Sequence, residues 1–362
     1  MENIKKQNFI FLVGNQRSGT TLITRLLDGH RDVLSLYGES HFFSKIEKVK
    51  IFSDIEQKFL HLTGRPYDYK INWKQDFSAV IDRNKNWDPD EHWQVIQKKS
   101  DDIEREERIL KGAIQEGDEK GIFMKLVEIY KNNFWPHKYL PKYVLEKTPG
   151  NEFRLEKIFD LFPDAKIIHI IRDPFDVIES ILKRKDSKMR KERIMGYIFH
   201  WKESFAEGIK WKQKKPENYY FLKHENLVNN TEEETKKICN FLNIEFDDIL
   251  LKPTDHSGTE LFKSHTHQKL KVQDGKVDKK LLEKDASREL GGEYMKIIGS
   301  FVVPEYKVFK WNKYKNYTGS GFGRIFFQKY PNKNLKNTIK NIFKYLKSII
   351  NCKRAEKIIK IN

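Results

Sequence analysis

The chain has 362 residues, with Lys+Arg 69 against Asp+Glu 52, a net charge of +17 and 33% charged residues. That length can bury the core of one large α/β domain or of a domain with an appendage, and a surface of that sign favours anionic ligands, acidic glycans, membranes or nucleic acid without choosing among them. Two cysteines, Cys239 and Cys352, exclude a disulfide framework and a cysteine metal site, and no apolar run has the length of a membrane span.

In chain order, residues 9–13 (Phe-Ile-Phe-Leu-Val) are an apolar run of strand length that breaks into a loop bracketed by Gly14 and Gly19. Leu22, Ile23, Leu26 and Leu27 then share one helical face. Strand, glycine-bracketed loop and helix start make a phosphate cradle, because backbone N–H groups and a helix amino terminus point at one anion. Gly14 and Gly19 have the G-x-x-x-x-G spacing, but Thr20 and Thr21 follow where a nucleoside-triphosphate loop has Lys and Ser/Thr, and Arg17 lies inside the loop. A cradle without that lysine suits a 5′-phosphate diester or anhydride better than a triphosphate with Mg²⁺.

Residues 32–36 read as a second strand ending near Glu39 and His41, with Glu39 expected to face the same crevice as the loop. Residues 42–118 read as a helical, aromatic-rich insertion that either shapes an acceptor pocket or packs as core. Residues 121–126 and 142–145 are expected strands, the second delivering Glu146-Lys147-Thr148-Pro149, and 152–162 an expected helix with Phe153, Ile158, Leu161 and Phe162 on its apolar face. Residues 166–171 are apolar and β-branched, as in a strand buried on both faces. There follows a well-marked helix start, with Asp173 as N-cap, Pro174 at the first position and Asp176 in the first turn.

Further on, 194–214 read as an amphipathic helix, 219–222 as a last strand, and Thr231 with Glu234 as a capping box for a helix reaching Leu242. Residues 252–276 read as a polar loop. From Pro331 to Asn362 nine basic residues face one acid, Glu356, with Leu335, Ile339, Ile342, Phe343, Leu346 and Ile349 at helical spacing. Such a helix either lies on an anionic membrane or docks on its own domain with a solvated lysine face.

The chemistry concentrates at two anchors. Arg172 ends a buried strand, where its guanidinium can clamp a phosphate bidentately, and Ser180 offers a hydroxyl from the next helix. Together with the first loop they make two anion sites on one sheet, which suit a nucleotide with phosphates at both ends. The expected fold is α/β, a three-layer P-loop-type parallel sheet flanked by helices. A domain over 1–325 carries the insertion at about 42–118, and a basic amphipathic tail spans 326–362.

These residues carry a resemblance. The R-S-G-T-T-L stretch Arg17–Leu22 resembles the 5′-phosphosulfate loop of sulfotransferases that use PAPS (3′-phosphoadenosine 5′-phosphosulfate), and R-D-P-x-x-V-x-x-S at Arg172–Ser180 resembles their 3′-phosphate site. Glu146–Pro149, Glu225-Asn226-Leu227-Val228 and Phe241–Ile244 are looser echoes, so the match spans roughly residues 8–245. Within the superfamily, Gly14 through Glu39 is most similar to tyrosylprotein sulfotransferases and the bacterial enzymes grouped near them.

The resemblance implies O-sulfation of a glycan, glycolipid or peptide hydroxyl, with PAPS as donor, PAP as product and no metal. It implies that Glu39 is the general base. His41, two residues on, is the rival, and the strand reading places the two on opposite pleat faces, so that only one is expected to reach the crevice. Arg17 and Lys147 would stabilise the transferring sulfuryl group. Ser18, Gly19, Thr20 and Thr21 would hold the 5′-phosphate, Arg172 and Ser180 the 3′-phosphate, and Ser264 would stand for a late serine of the relatives. Departures from the family are Asn151, where many relatives have His, and Arg17, where small-molecule enzymes carry Lys. A cytoplasmic, reducing location without nucleic-acid partners is expected, with peripheral membrane contact through the tail as an open alternative. A P-loop small-molecule kinase and a non-catalytic nucleotide-binding protein are the other readings.

Overall fold

The computed structural model describes residues 8–36, 39–63, 100–134, 140–183, 194–255, 259–260, 272–273, 276–277, 279, 282 and 286–318. Ser264, Cys352 and the basic tail lie outside these residues, as does most of the insertion's aromatic stretch.

Five strands form one parallel sheet: β1 (Asn8–Val13), β2 (Val33–Ser35), β3 (Tyr143–Lys147), β4 (Lys166–Ile171) and β5 (Tyr219–Lys223), in the order β2-β3-β1-β4-β5. Val33 pairs with Tyr143 and Ile167 with Tyr219 to set the two outer registers. The chain steps to one side of β1 for β2 and β3 and to the other for β4 and β5. That places a topological switch between β1 and β4, where ligands of open parallel sheets bind at the carboxyl ends of the strands. Phe9–Val13 and Ile167–Ile171 are buried throughout, as central strands covered on both faces require.

The chain divides into two compact units, one holding residues 1–11, 22–165 and 246–277, the other 12–21, 166–245 and 278–362. The first contains α1 (Thr20–Asp28, whose first two residues belong to the second unit), α2 (Phe42–Ile46), α3 (Ile55–Thr63), α4 (Ser100–Glu116), α5 (Glu119–Phe134) and α6 (Leu155–Leu161). Its core is aromatic: Phe9, Phe11, Phe42, Phe43 and Phe162 all lie within about 6 Å of the Phe123 ring or of one another. The second contains α7 (Pro174–Leu182), α8 (Ile194–Lys214), α9 (His224–Asn229), α10 (Thr231–Leu242) and α11 (Ala286–Val308, broken at Gly291). Its core joins Phe175, Trp201, Phe205, Met295, Phe301 and Trp311.

Several local expectations are corrected. Residues 121–126 are helix, inside α5, because Ile122, Phe123 and Val127 are the buried positions, a helical rather than an alternating pattern. Before α6 a 3-10 turn runs over Asn151–Arg154, and the change of phase leaves Phe153 exposed while Leu155, Ile158 and Phe159 are buried. The Thr231 capping box does not form: Asn230 is the N-cap, and the Thr231 hydroxyl donates to Leu227 O at 2.8 Å, in the helix just before it. Within 252–276, two short antiparallel pairs, Thr254–Asp255 with Thr259–Glu260 and Val272–Gln273 with Lys276–Val277, replace featureless loop. Among the described residues no helix is long and apolar enough to cross a membrane.

One charge pair sits deep in the second unit. Lys202 Nζ contacts Glu305 Oε1 at 2.6 Å, with both side chains buried, and also donates to Phe301 O. Lys202→Met strands a buried carboxylate and is expected to cost about 3–5 kcal/mol in denaturant unfolding, whereas the double change with Glu305→Leu should recover most of it. A double variant as destabilised as the single one would show that the loss does not come from the stranded carboxylate.

Candidate active site

The loop after β1 is built by backbone conformations that its sequence permits. Gly14 (φ 138°) and Gly19 (φ 100°) have positive φ, and the space beside each is taken. A Cβ on Gly14 would fall 2.3 Å from Ile170 O, and one on Gly19 would fall 2.4 Å from His224 Cδ2. Arg17 also has positive φ (71°), an uncommon state for a residue with a side chain, and Ser18 N closes the turn onto Asn15 O at 3.1 Å. Ser18 is fully buried and its Oγ has no hydrogen-bond partner among the described residues. Thr20 and Thr21 open α1 immediately after.

The turn after β4 forms as its sequence requires. Asp173 caps α7 by accepting from Phe175 N at 3.0 Å, with Pro174 at the first helical position. The turn is then held from several distant points. Trp201 Nε1 donates to Arg172 O, Glu225 accepts from Asp173 N at 2.9 Å and from Trp311 Nε1, and Tyr306 donates its hydroxyl to Asp173 Oδ2 at 2.9 Å. Burial, with Asp176 and Glu225 nearby, pushes the Asp173 carboxyl well above the usual carboxylate range. Asp176 in turn accepts from Lys313 and from the Tyr314 hydroxyl.

Loop and turn meet. Arg172 Nη1 donates to Arg17 O at 3.3 Å, Arg17 Nε donates to Ser180 Oγ at 3.0 Å, and Arg172 Nη2 lies 3.9 Å from Asp176 Oδ2. Arg172 Nε is buried without a hydrogen-bond partner among the described residues. The two arginines and Ser180, separated by some 160 residues of chain, are thus within reach of one small anion-bearing ligand. The Arg17 side chain lies on Ser180, the hydroxyl expected at the opposite phosphate.

Glu39 and Lys147 form a second constellation, within the first unit. Lys147 Nζ donates to Glu39 Oε1 at 2.8 Å, and His41 Nε2 lies 3.5 Å from Glu39 Oε2. The expectation that Glu39 and His41 fall on opposite pleat faces is overturned. Residues two apart share a face even in a regular strand, and here the strand has already ended at Ser35; His41, at φ 53°, brings its ring to the carboxylate.

Beneath them Glu146 is a buried hub that sequence reasoning missed as such. It accepts from Ser40 Oγ and Thr148 Oγ1, both at 2.6 Å, and from Asn151 Nδ2 at 2.9 Å. Burial raises the Glu146 carboxyl above its ordinary value, against the pull of those hydroxyls and of Lys147. The one signal in the sequence was its place in the Glu-Lys-Thr-Pro segment. Among the described residues no group of three or more His, Cys, Asp or Glu is arranged to hold a metal ion.

Partial burial acts to raise the Glu39 carboxyl, but the His41 hydrogen bond and the charge and hydrogen bond of Lys147 outweigh it and hold the group at about 2. A folded-state value below the unfolded one contributes stability that is fully present above about pH 4.5 and is lost as pH falls through about 2. In the free protein an NMR titration of Glu39 is expected to show a midpoint near 2, moving upward in Lys147→Met. A midpoint unchanged by that substitution would remove Lys147 as a cause.

Comparison with known proteins places this geometry. Residues 10–248 match the model of the sulfotransferase family. Over 115 residues the chain is 24% identical to the omega-hydroxy-beta-dihydromenaquinone-9 sulfotransferase Stf3 of Mycobacterium bovis, a stretch covering 28% of this chain and 29% of that enzyme, so the chain spans under a third of the curated relative it matches. Among solved structures, the sulfotransferase domain of the Synechococcus olefin synthase is similar at 19% identity and a TM-score of 0.46, covering 79% of this chain and 88% of that one. Sulfotransferase STF1 of Mycobacterium tuberculosis is similar at 14% identity and a TM-score of 0.39, covering 69% and 71%. The family match runs through the loop after β1, the Glu39 and Lys147 segments and the turn after β4, and the chain belongs to the sulfotransferase family.

Proposed function

We propose that this sulfotransferase moves the sulfuryl group of PAPS onto an acceptor hydroxyl of a glycan or glycolipid. The observation that carries the donor assignment is the meeting of Arg17, Arg172 and Ser180 at the ends of β1 and β4. The fit to a bisphosphorylated nucleotide is supported by two buried donors that have no hydrogen-bond partner among the described residues, Ser18 Oγ and Arg172 Nε, one on each side of that meeting. When bound, PAPS supplies a sulfuryl group on a phosphosulfate anhydride.

In this reading the N–H groups of residues 17–19, with Ser18, Thr20 and Thr21, hold the 5′-phosphate, and Arg172 and Ser180 hold the 3′-phosphate. Arg17 and Lys147 offset the charge that grows on the bridging oxygen. Glu39 takes the hydroxyl proton as the acceptor oxygen forms its S–O bond and the bond to the 5′-phosphate breaks. For that step Lys147 must exchange its contact with Glu39 for one with the donor. This frees a carboxylate otherwise held too acidic to be an effective base. His41, in contact with the same carboxylate, then orients it.

Stf3 is named for a hydroxyl borne on a menaquinone, which favours a lipid-linked over a free acceptor here as well. The basic tail, outside the described residues, would supply peripheral contact with anionic membrane.

Thermal shift tests the donor. Saturating 3′,5′-ADP at about 100 times its Kd is expected to add about 2.7 kcal/mol of stability, seen as a rise of several degrees in Tm, with Mg-ATP leaving Tm unchanged. The reverse pattern would make the protein a kinase-like nucleotide binder instead.

A further inference from the structure

We propose that Tyr306 and Tyr314 are positioning residues of the 3′-phosphate site, acting on Arg172 through the two aspartates of its turn, Asp173 and Asp176. This rests on the PAPS reading above and adds to it two residues that lie past 248, where the family match ends.

The segment reaches the turn because α11 ends in a reversal. Lys310 takes φ 52°, its N–H bonds to Lys307 O at 3.1 Å, and Trp311 N returns to Tyr306 O at 3.2 Å, the hydrogen-bond pair of a Schellman C-cap. Trp311, Lys313 and Tyr314 are thereby brought back to the start of α7. Both tyrosines are buried, with ring centroids 5.7 and 4.9 Å from that of Phe175.

Their hydroxyls have fixed directions, since a phenol has a single hydrogen to donate. Tyr306 Oη accepts from Tyr314 N at 2.9 Å and gives its hydrogen to Asp173 Oδ2. Tyr314 Oη accepts from Ala286 N at 2.8 Å and gives its hydrogen to Asp176 Oδ1 at 2.7 Å. Each aspartate is thus held by a hydroxyl that the backbone has already oriented.

What they hold is Arg172. Asp176 Oδ2 faces its Nη2 at 3.9 Å, one helical turn on. The peptide joining Arg172 to Asp173 is gripped at both polar atoms: its carbonyl accepts from Trp201 Nε1 at 3.1 Å, and its N–H donates to Glu225, whose other oxygen accepts from Trp311 Nε1 at 3.1 Å. A bidentate clamp depends on the angle at which the planar guanidinium is presented. A carboxylate beside it also competes with a phosphate for the same N–H groups. Lys313 Nζ, 3.1 and 3.2 Å from the two Asp176 oxygens, and the Tyr314 hydroxyl offset that carboxylate's charge, so Asp176 can orient Arg172 without neutralising it.

The test is a double-mutant cycle on the full chain, read by calorimetric titration with 3′,5′-ADP and with 5′-AMP. Phenylalanine keeps each ring and removes only the hydroxyl. Tyr306→Phe and Tyr314→Phe are each expected to weaken 3′,5′-ADP binding about 3–10-fold, as for loss of one hydrogen bond, with 5′-AMP binding within about twofold of the unaltered protein. In Arg172→Ala, where the group they position is gone, the same substitutions should cost less than about twofold more. A residue that merely stabilised the domain would give the same loss with and without Arg172. Losses that add to that of Arg172→Ala, equal losses for the two nucleotides, or no loss in either variant would each overturn the proposal. If one variant fails to bind 5′-AMP, the other carries the comparison, and failure of both overturns it by showing that the hydroxyls hold the domain together. Failure of the unaltered protein to bind 3′,5′-ADP would instead overturn the donor reading, in an arm that contains no tyrosine variant.

Discussion

Glu39→Gln is expected to lower sulfuryl transfer by about 10²–10⁴-fold, the usual contribution of a general base, while 3′,5′-ADP affinity stays within about twofold. The substitution keeps the shape of the side chain and an oxygen for Lys147 Nζ, now 2.8 Å from Glu39 Oε1, but removes the site that accepts a proton. His41 provides the comparison, since its Nε2 lies 3.5 Å from the other carboxylate oxygen. His41→Ala removes the hydrogen bond that does most to lower the Glu39 carboxyl, so its value should rise from about 2. The acidic limb of the rate profile should move up with it, with only a modest loss of turnover. Transfer measured with labelled PAPS across pH 4–8 decides between them. An active Glu39→Gln beside an inactive His41→Ala would hand the proton to His41.

Arg172→Ala is expected to weaken 3′,5′-ADP binding by about 10–100-fold, as for loss of hydrogen bonds between charged partners, while 5′-AMP binding changes little. The reason is positional. Arg172 stands at the carboxyl end of β4 with its Nε buried and without a hydrogen-bond partner among the described residues, whereas the N–H groups assigned to the 5′ end belong to the loop after β1. A complication is that Arg172 also donates to Arg17 O, so its removal could slacken the loop. Arg172→Lys separates the effects. It keeps a charge but not the planar fork, and should recover only a small part of the lost affinity. Equal losses for 3′,5′-ADP and 5′-AMP in calorimetric titrations would mean that Arg172 supports the loop instead of binding the 3′-phosphate.

The parts of the fold that were legible in the sequence are those with short-range causes. The apolar run ending at Gly14, the Asp173-Pro174 helix start and the amphipathic helix over 194–214 carry their signals in a few consecutive residues, and all three form. Short apolar runs were less readable. Residues 121–126 fit strand and helix equally until burial of Ile122, Phe123 and Val127 selects the helix. The Thr231 hydroxyl likewise had two partners available, and the turn of helix just before it supplied the one it took.

By itself, then, the sequence determined the two turns after β1 and β4 and the kind of residue at each, because glycine conformation, helix capping and the apolarity of a buried strand are local properties. Only the tertiary structure decided how those residues are used. It set Arg17 against Ser180 across 163 residues, put Glu39 between Lys147 and His41, and made Glu146 a buried hub. It also tied Tyr306 to Asp173 over 133 residues. These are contacts between segments that share no local pattern. Their partners are chosen by what chain packing brings within hydrogen-bonding distance and by the cost of leaving a buried polar group unpaired.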